Sequence, residues 1–153
     1  MIEERLALLA RFMEEEVPFH RLLGLKVEAL GEGECVLRLP WRDEFIGDPF
    51  RPAVHGGVTS MLADTCGGAA CFSKLTELQN RLSTVDLRVD YLRPGPAEDL
   101  FCRGRVMRMG NKVAVATMVV FAGSVPTGSD GGVLIATAQA VYNVIRKDGE
   151  HND

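Results

Sequence analysis

Positive charge is in short supply in this sequence. Seventeen Lys/Arg stand against 21 Asp/Glu in 153 residues, a formal net charge of −4. Non-specific nucleic-acid binding needs a basic face to neutralise phosphates, so that class of partner is not expected. Also missing is an apolar run of the ~20 residues that span a bilayer, and no membrane partner is expected. The first residues, Met1-Ile2-Glu3-Glu4-Arg5, are acidic and lead into an amphipathic stretch. A secretory leader, with its basic start and apolar centre, is not expected there, and a cytoplasmic location is. Cysteine is sparse: Cys35, Cys66, Cys71 and Cys102 form no C-x-x-C pair, and each lies among apolar neighbours. Reduced, buried thiols fit this pattern better than a disulfide framework or a metal site. His20 and His151 have no spacing that suggests ligation, so no metal is expected.

What is present is enough apolar material, 46% of the chain, for one core, and too little length for two ordinary domains. A single domain over residues 1–153 is expected. Between residues 3 and 16, Leu6, Leu9, Phe12 and Met13 recur at helical spacing, and Pro18 ends the pattern. A short connection holding His20 and Gly24 follows. Residues 25–30 alternate apolar and polar, and Gly31-Glu32-Gly33 turns them into a second strand over 34–39. The proline-rich stretch 40–54 predicts no regular element. Residues 57–74 are apolar on nearly every side apart from Thr, Ser and one carboxylate, which predicts a buried helix.

Four more strands are predicted. In residues 84–91, Val85, Leu87, Val89 and Tyr91 alternate with Thr84, Asp86, Arg88 and Asp90, giving one buried and one polar face. Residues 100–109 and 112–121 flank a Gly110-Asn111 hairpin turn, and residues 133–144 form the last strand. A mobile loop is expected over 123–132 and a frayed tail after Arg146. These elements predict an α+β fold in which a curved antiparallel sheet wraps one long buried helix, with an extra helix at the N-terminus. Such a sheet leaves a face or an edge for a partner chain.

The chemistry concentrates in Pro52-Ala53-Val54-His55-Gly56-Gly57-Val58, then Asp64, then Gly67-Gly68. Two glycines at a helix start let a ligand reach free backbone N–H groups where the helix dipole favours negative charge, as in an oxyanion hole. The plainer reading is a tight turn. Asp64 shifts the balance, because a carboxylate inside an apolar helix must be hydrogen-bonded, paired or doing chemistry. It shares a helix face with Gly57, Ser60, Gly68 and Cys71, all small. Each mid-helix glycine costs about 1 kcal/mol against alanine, so a partner backbone or a substrate is expected beside the carboxylate.

The run HGGVTSMLADTCGG, with TVDLRVDYLRPGP and RVMRMGNKVAVATMVVF after it, resembles the hotdog-fold acyl-CoA thioesterases of the phenylacetate-degradation type (PaaI-like). The resemblance covers residues 22–144. It implies hydrolysis of an acyl-CoA to a free acid and CoA, with CoA entering only as part of the substrate and no separate cofactor. It assigns Asp64 as nucleophile or general base, Gly56 with Gly57 beside it as the oxyanion donor, and Thr84 as the hydroxyl assisting the carboxylate. Ser83 takes that last place if the register slips by one. His55 shapes the turn or serves as a base. The resemblance also implies a homodimer, assembling to a homotetramer.

Two departures accompany the resemblance. Many relatives carry an asparagine about six residues before the histidine, where this chain has Pro49 beside Asp48. Strand alternation also puts Thr84 on the polar side, away from the enclosed helix, and Ser83 on the apolar side, so Thr84 serves only a site between chains.

Residues 81–112 hold seven Lys/Arg against four acidic residues, a basic region suited to CoA phosphates. Arg93, Arg108 and Lys112 are the expected contacts. Phe45, Phe50, Met61 and Phe72 are candidates to line an acyl pocket. Competing readings are a non-catalytic acyl-CoA-binding hotdog protein and a dehydratase or hydratase pairing His55 with Asp48 or Asp64.

Overall fold

The computed structural model describes residues 1–125 and 131–147. The central part of the expected 123–132 loop, most of the tail after Arg146, and His151 lie outside the described residues. Helix α1 (Ile2–Glu15) buries Leu6, Leu9 and Met13 along one side and carries Glu3 and Glu4 in its first turn, where the helix dipole favours them. Pro18 ends this pattern and also opens a second helix, α2 (Pro18–Leu23), that the sequence reading left as a connection. Proline suits the first helical position, where its missing N–H is not needed. Gly24 then closes α2 with φ +69°, a left-handed conformation that glycine adopts without strain.

Six strands form one antiparallel sheet in the order β1-β2-β6-β7-β8-β5. They are β1 (Lys26–Gly31), β2 (Glu34–Leu39), β5 (Arg81–Tyr91), β6 (Leu100–Met109), β7 (Val113–Ala122) and β8 (Val133–Ile145). The stretch 40–54, expected to be irregular, contains a 3-10 turn (Asp43–Phe45) and a small hairpin of β3 (Ile46–Asp48) with β4 (Ala53–Val54). Helix α3 (Gly56–Phe72) follows and packs against β2, β5, β6, β7 and β8. This is the hotdog arrangement, with α1 as an added N-terminal helix.

The inner face of the sheet is built of small and medium residues in register. Ala114, Ala116, Ala136, Ala138 and Ala140 are buried there beside Cys35, Leu37, Cys102 and Met118. A layer this thin lets α3 come close. A Cβ added at Gly104 would stand 3.0 Å from the Cys66 carbonyl oxygen, so the absence of a side chain there is what permits the contact. All four cysteines are buried and free. Burial pushes the Cys71 thiol up to about 12, and these thiols are packing groups rather than nucleophiles.

The expected alternation of β5 is broken once. Thr84 pairs with Tyr142 and Asp86 with Val141, leaving Val85 as an unpaired extra residue. Residues directly opposite in an antiparallel pair point to the same face, and Tyr142 is buried against α3. Thr84 and Leu82 therefore face the helix together with Leu87 and Val89, while Val85 turns outward at 65% exposure. The even positions before the bulge and the odd positions after it share one face. This corrects the sequence reading, in which Val85 is buried and Thr84 points away.

The two mid-helix glycines also separate in role. A Cβ at Gly67 would lie 2.6 Å from both Met118 Sδ and the Tyr142 hydroxyl, whereas at Gly68 the nearest atom would be 3.6 Å away. We predict that Gly67→Ala destabilises the fold by ~1–3 kcal/mol through overpacking. Gly68→Ala should be neutral or stabilising by up to ~1 kcal/mol from helix propensity. Urea unfolding of the two variants checks this, and equal effects would refute the division.

Candidate active site

The entrance of α3 is held from three sides. The His55 N–H donates to the Phe45 carbonyl at 2.8 Å and the Val54 N–H to the Gly95 carbonyl at 2.9 Å. The His55 ring then caps the helix, its Nδ1 accepting from the Gly57 N–H at 2.9 Å. Because Nδ1 accepts, the neutral ring carries its proton on Nε2. The Tyr91 hydroxyl donates to the Gly56 carbonyl at 2.9 Å. The Gly56 N–H has no acceptor among the described residues, which leaves it as the unspent donor of this helix start. A side chain at Gly57 would meet the His55 ring at 2.9 Å and one at Gly56 the Tyr91 ring at 3.3 Å. The glycine pair thus permits the cap, as the turn reading holds, and it also bares one donor at the positive end of the helix dipole.

Two turns further along the same helix, Asp64 is half-buried. Thr84 Oγ1 donates to its Oδ1 at 2.8 Å within the one chain. The bulge at Val85 makes this possible, and no second chain is needed for the contact. Ser83 pairs with Asn143 and points to the opposite face of the strand. The Tyr142 hydroxyl donates to the Asp64 backbone carbonyl at 2.7 Å. Burial, and then the neighbouring Asp64 charge, push the Tyr142 pKa well above the ordinary tyrosine range. That phenol remains a donor throughout the working pH range. Tyr142 and Tyr91 were not singled out from the sequence; only the tertiary contacts reveal them.

Asp64 and Thr84 line a cavity of about 350 Å³ together with Leu9, Phe12, Met13, Phe72 and Tyr142, and Asp64 is the first residue of α3 to reach it. His20 lines it too, its Nδ1–H donating to the Met13 carbonyl at 2.9 Å. Of the aromatic and methionine candidates, Phe72 reaches this cavity. Phe45 is core, Met61 packs against the core, and Phe50 is 95% exposed at the β3–β4 tip. A second cavity, of about 460 Å³, is lined by Gly56, Tyr91 and Arg93 and holds neither Asp64 nor Thr84. Gly56 and Asp64 are eight residues apart, ~12 Å along the helix axis. The donor and the carboxylate of one chain therefore serve different spaces.

The basic residues divide in the same way. Arg93 lies just beyond the Tyr91 end of β5. Arg108 and Lys112 flank the β6–β7 turn, Arg108 in the row that runs through Val115 and Val141 to Asp86, and Lys112 beside Val113, whose row runs through Asn143 to Ser83. Arg93 is ten positions beyond Ser83, ~30 Å of extended chain. Asp48, beside the absent asparagine, caps its own turn. It accepts from the Phe50 and Arg51 N–H groups and pairs with the Arg51 guanidinium. The backbone hydrogen bond from Phe50 leads in holding its carboxyl below the ordinary range.

A profile of the Thioesterase superfamily matches residues 52–129, from the approach to α3 through β7. The chain belongs to this superfamily. It is 34% identical to the Escherichia coli medium/long-chain acyl-CoA thioesterase YigI, over 93% of this chain and 95% of that protein. A Shewanella oneidensis protein related to the thioesterase superfamily superposes with a TM-score of 0.79 at 32% identity, covering 93% of this chain and 96% of the other. A thioesterase family protein from Silicibacter pomeroyi gives a TM-score of 0.79 at 26% identity over 91% and 97% of the two chains. No helix among the described residues is long and apolar enough to cross a membrane.

The Thr84–Asp64 hydrogen bond generates a direct test in this thioesterase. Thr84→Val keeps the shape and deletes the donor, and should lower kcat for thioester hydrolysis by ~10- to 100-fold, a range set by loss of one charge-assisted hydrogen bond. Thr84→Ser should restore most of it, and Ser83→Ala should leave turnover within about twofold. Equal losses at positions 83 and 84 would show that the hydroxyl does not act on the carboxylate.

Proposed function

We propose that this chain hydrolyses acyl-CoA thioesters in the cytoplasm, with Asp64 as the central catalytic carboxylate. The observation that carries this is a carboxylate held by a hydroxyl in the lining of a largely apolar cavity. Thr84 occupies Oδ1, so Oδ2 is left to take a proton from water or to attack the carbonyl carbon. Charge then builds on the thioester oxygen, where an unspent N–H at a helix start stabilises it. With Asp64 as base, the CoA thiolate leaves and takes up the proton that the carboxylate drew from water; with Asp64 as nucleophile, the thiolate leaves an acyl–Asp64 anhydride that water hydrolyses, and the proton released by that water goes to the thiolate, so either route yields acid and thiol. The relationship to a medium/long-chain acyl-CoA thioesterase supports the substrate class, and the His-Gly-Gly and helix-aspartate pattern supports placement with the phenylacetate-degradation type. Four buried, free cysteines suit a reducing compartment.

The donor in this reading is Gly56, since His55 occupies the Gly57 N–H. An oxyanion donor and an attacking group must both lie about 3 Å from one carbonyl, and the two halves in one chain are ~12 Å apart. The site is therefore composite, and β5 supplies the means. It ends the sheet with one edge unpaired, carries Thr84 near one end, and carries Tyr91, bonded to Gly56, at the other. Antiparallel pairing of two β5 edges about a two-fold axis at Arg88 sets Leu87 opposite Val89 of the partner subunit and, because Val85 is bulged out, Thr84 opposite Tyr91 of the partner subunit. Asp64 then faces the helix start of the partner, and each dimer holds two sites. The same pairing brings Arg93 of one chain to the end of the sheet where Arg108 and Lys112 of the other lie, gathering charge for the CoA phosphates. Two such dimers form the expected homotetramer.

The dehydratase reading loses its pair here. His55 spends Nδ1 on the helix cap, and Asp48 spends its carboxylate on its own turn. Thiol release from acyl-CoA separates hydrolysis from both that reading and the non-catalytic one.

Two predictions follow from the composite site. Gly56→Pro deletes the N–H and fits the backbone, because proline suits the first helical position and His55 before it already has the extended ψ of 130°, while its Cβ asks the Tyr91 ring, 3.3 Å away, to give by a few tenths of an ångström. Gly56→Pro and Asp64→Asn should each be inactive as pure oligomers. Mixed and allowed to exchange at equal amounts, they should recover about a quarter of wild-type activity, since half the dimers hold one intact site. Confirmed exchange with no recovery would refute the shared site. Separately, Arg93→Ala, Arg108→Ala or Lys112→Ala should raise KM for acyl-CoA and leave the corresponding acyl-pantetheine within about twofold. Equal losses on both substrates would remove that residue from the phosphate site.

A further inference from the structure

The space beside the two mid-helix glycines is divided unequally. The position of a Gly67 side chain is filled by Met118 and Tyr142, while that of Gly68 is open apart from ordinary contact with Tyr142 and Leu82 at 3.6 and 3.8 Å. Gly68 lines the same cavity as Asp64 and Thr84. Beyond those two the lining is mainly apolar, with Leu9, Phe12 and Met13 from α1 facing the same space as Gly68, Phe72 and Leu82. The α1 wall is anchored near both its ends. Arg5 donates to the Leu75 carbonyl at 2.6 Å, and Glu14 accepts from the Val27 N–H at 2.8 Å.

We infer that α1 and Gly68 together set the length of the acyl chain this protein accepts, reserving the cavity for chains of about eight to twelve carbons. The inference rests on the hydrolase reading above and assigns its specificity to residues outside the catalytic group. Two independent measures give the length. From Asp64 to Phe72 the helix advances ~12 Å, and a zigzag of ~1.5 Å carbon–carbon bonds advances ~1.3 Å per carbon, which allows roughly nine carbons. By volume, about 350 Å³ at the ~30 Å³ of a water-sized group admits roughly twelve methylenes. A shorter chain leaves part of the apolar wall uncovered. A longer one meets the tethered helix and must leave its end in water.

The test uses CoA thioethers carrying butyl, octyl, dodecyl and hexadecyl chains, which bind without being hydrolysed, and the matching acyl-CoAs as substrates. Binding to wild-type protein should strengthen by up to about fourfold per methylene and level off between octyl and dodecyl. Gly68→Leu should weaken dodecyl binding by roughly tenfold or more and leave butyl binding within about threefold. Phe12→Ala should move the plateau towards hexadecyl. Leu9→Phe narrows the same space from α1 and repeats the test should Gly68→Leu fail to fold. Parallel losses at every chain length, or an unchanged profile, would overturn the assignment. If no acyl-CoA is turned over by the wild type, the hydrolase reading falls, and the thioether profile still decides whether α1 and Gly68 measure chain length.

Discussion

Close contact between α3 and the inner face of the sheet is the constraint on which the remaining structure depends. At Gly104 the strand gives up its side chain to the Cys66 carbonyl, and at Gly67 the helix gives up its own to Met118 and Tyr142. Two glycines, one on each surface, bring backbone to within side-chain contact of the opposing layer. That approach fixes the height of Asp64 over the sheet, and Tyr142 locks it by donating to the Asp64 carbonyl at 2.7 Å. A helix one methyl group farther out would carry the carboxylate away from Thr84, since a hydrogen bond tolerates only a few tenths of an ångström.

The same packing explains how an ionisable group survives on so apolar a helix. Asp64 is only half-buried, it accepts a hydroxyl hydrogen bond, and its outer side faces a cavity rather than packed side chains. Tyr142 takes the fully buried position instead, where a phenol bears the loss of water at little cost because it stays neutral.

A single straight helix imposes a division of labour. Its dipole makes the N-terminus a place for developing negative charge, but its rise of ~1.5 Å per residue puts Asp64 beyond reach of that end. Two-fold association is a general way to bring two separated features together twice over. The edge strand β5 touches both halves, through Thr84 at Asp64 and Tyr91 at Gly56. The proposed site thus lies along β5, the longer of the two edge strands among the described residues, which a lone chain would otherwise leave open to indiscriminate pairing.

Much of this was legible in the residues because it depends on local periodicity. The buried helix shows in the apolar run after His55, the β6–β7 hairpin in its Gly110-Asn111 turn, and the candidacy of Asp64 in its isolation among apolar neighbours. The orientation of Thr84 was not legible. A β-bulge inserts one residue without a composition signal of its own, and every side chain beyond it changes face, so alternation read from either end gives a self-consistent but wrong answer in the middle. The second helix was hidden for a related reason, since Pro18 ends one helix and begins another with the same fixed φ. The roles of Gly67 and Gly68, adjacent and chemically identical, were also decided only by tertiary structure. A sequence records that a side chain is missing, and only the surrounding fold determines whether the vacated space is filled by Tyr142 or left open beside Asp64.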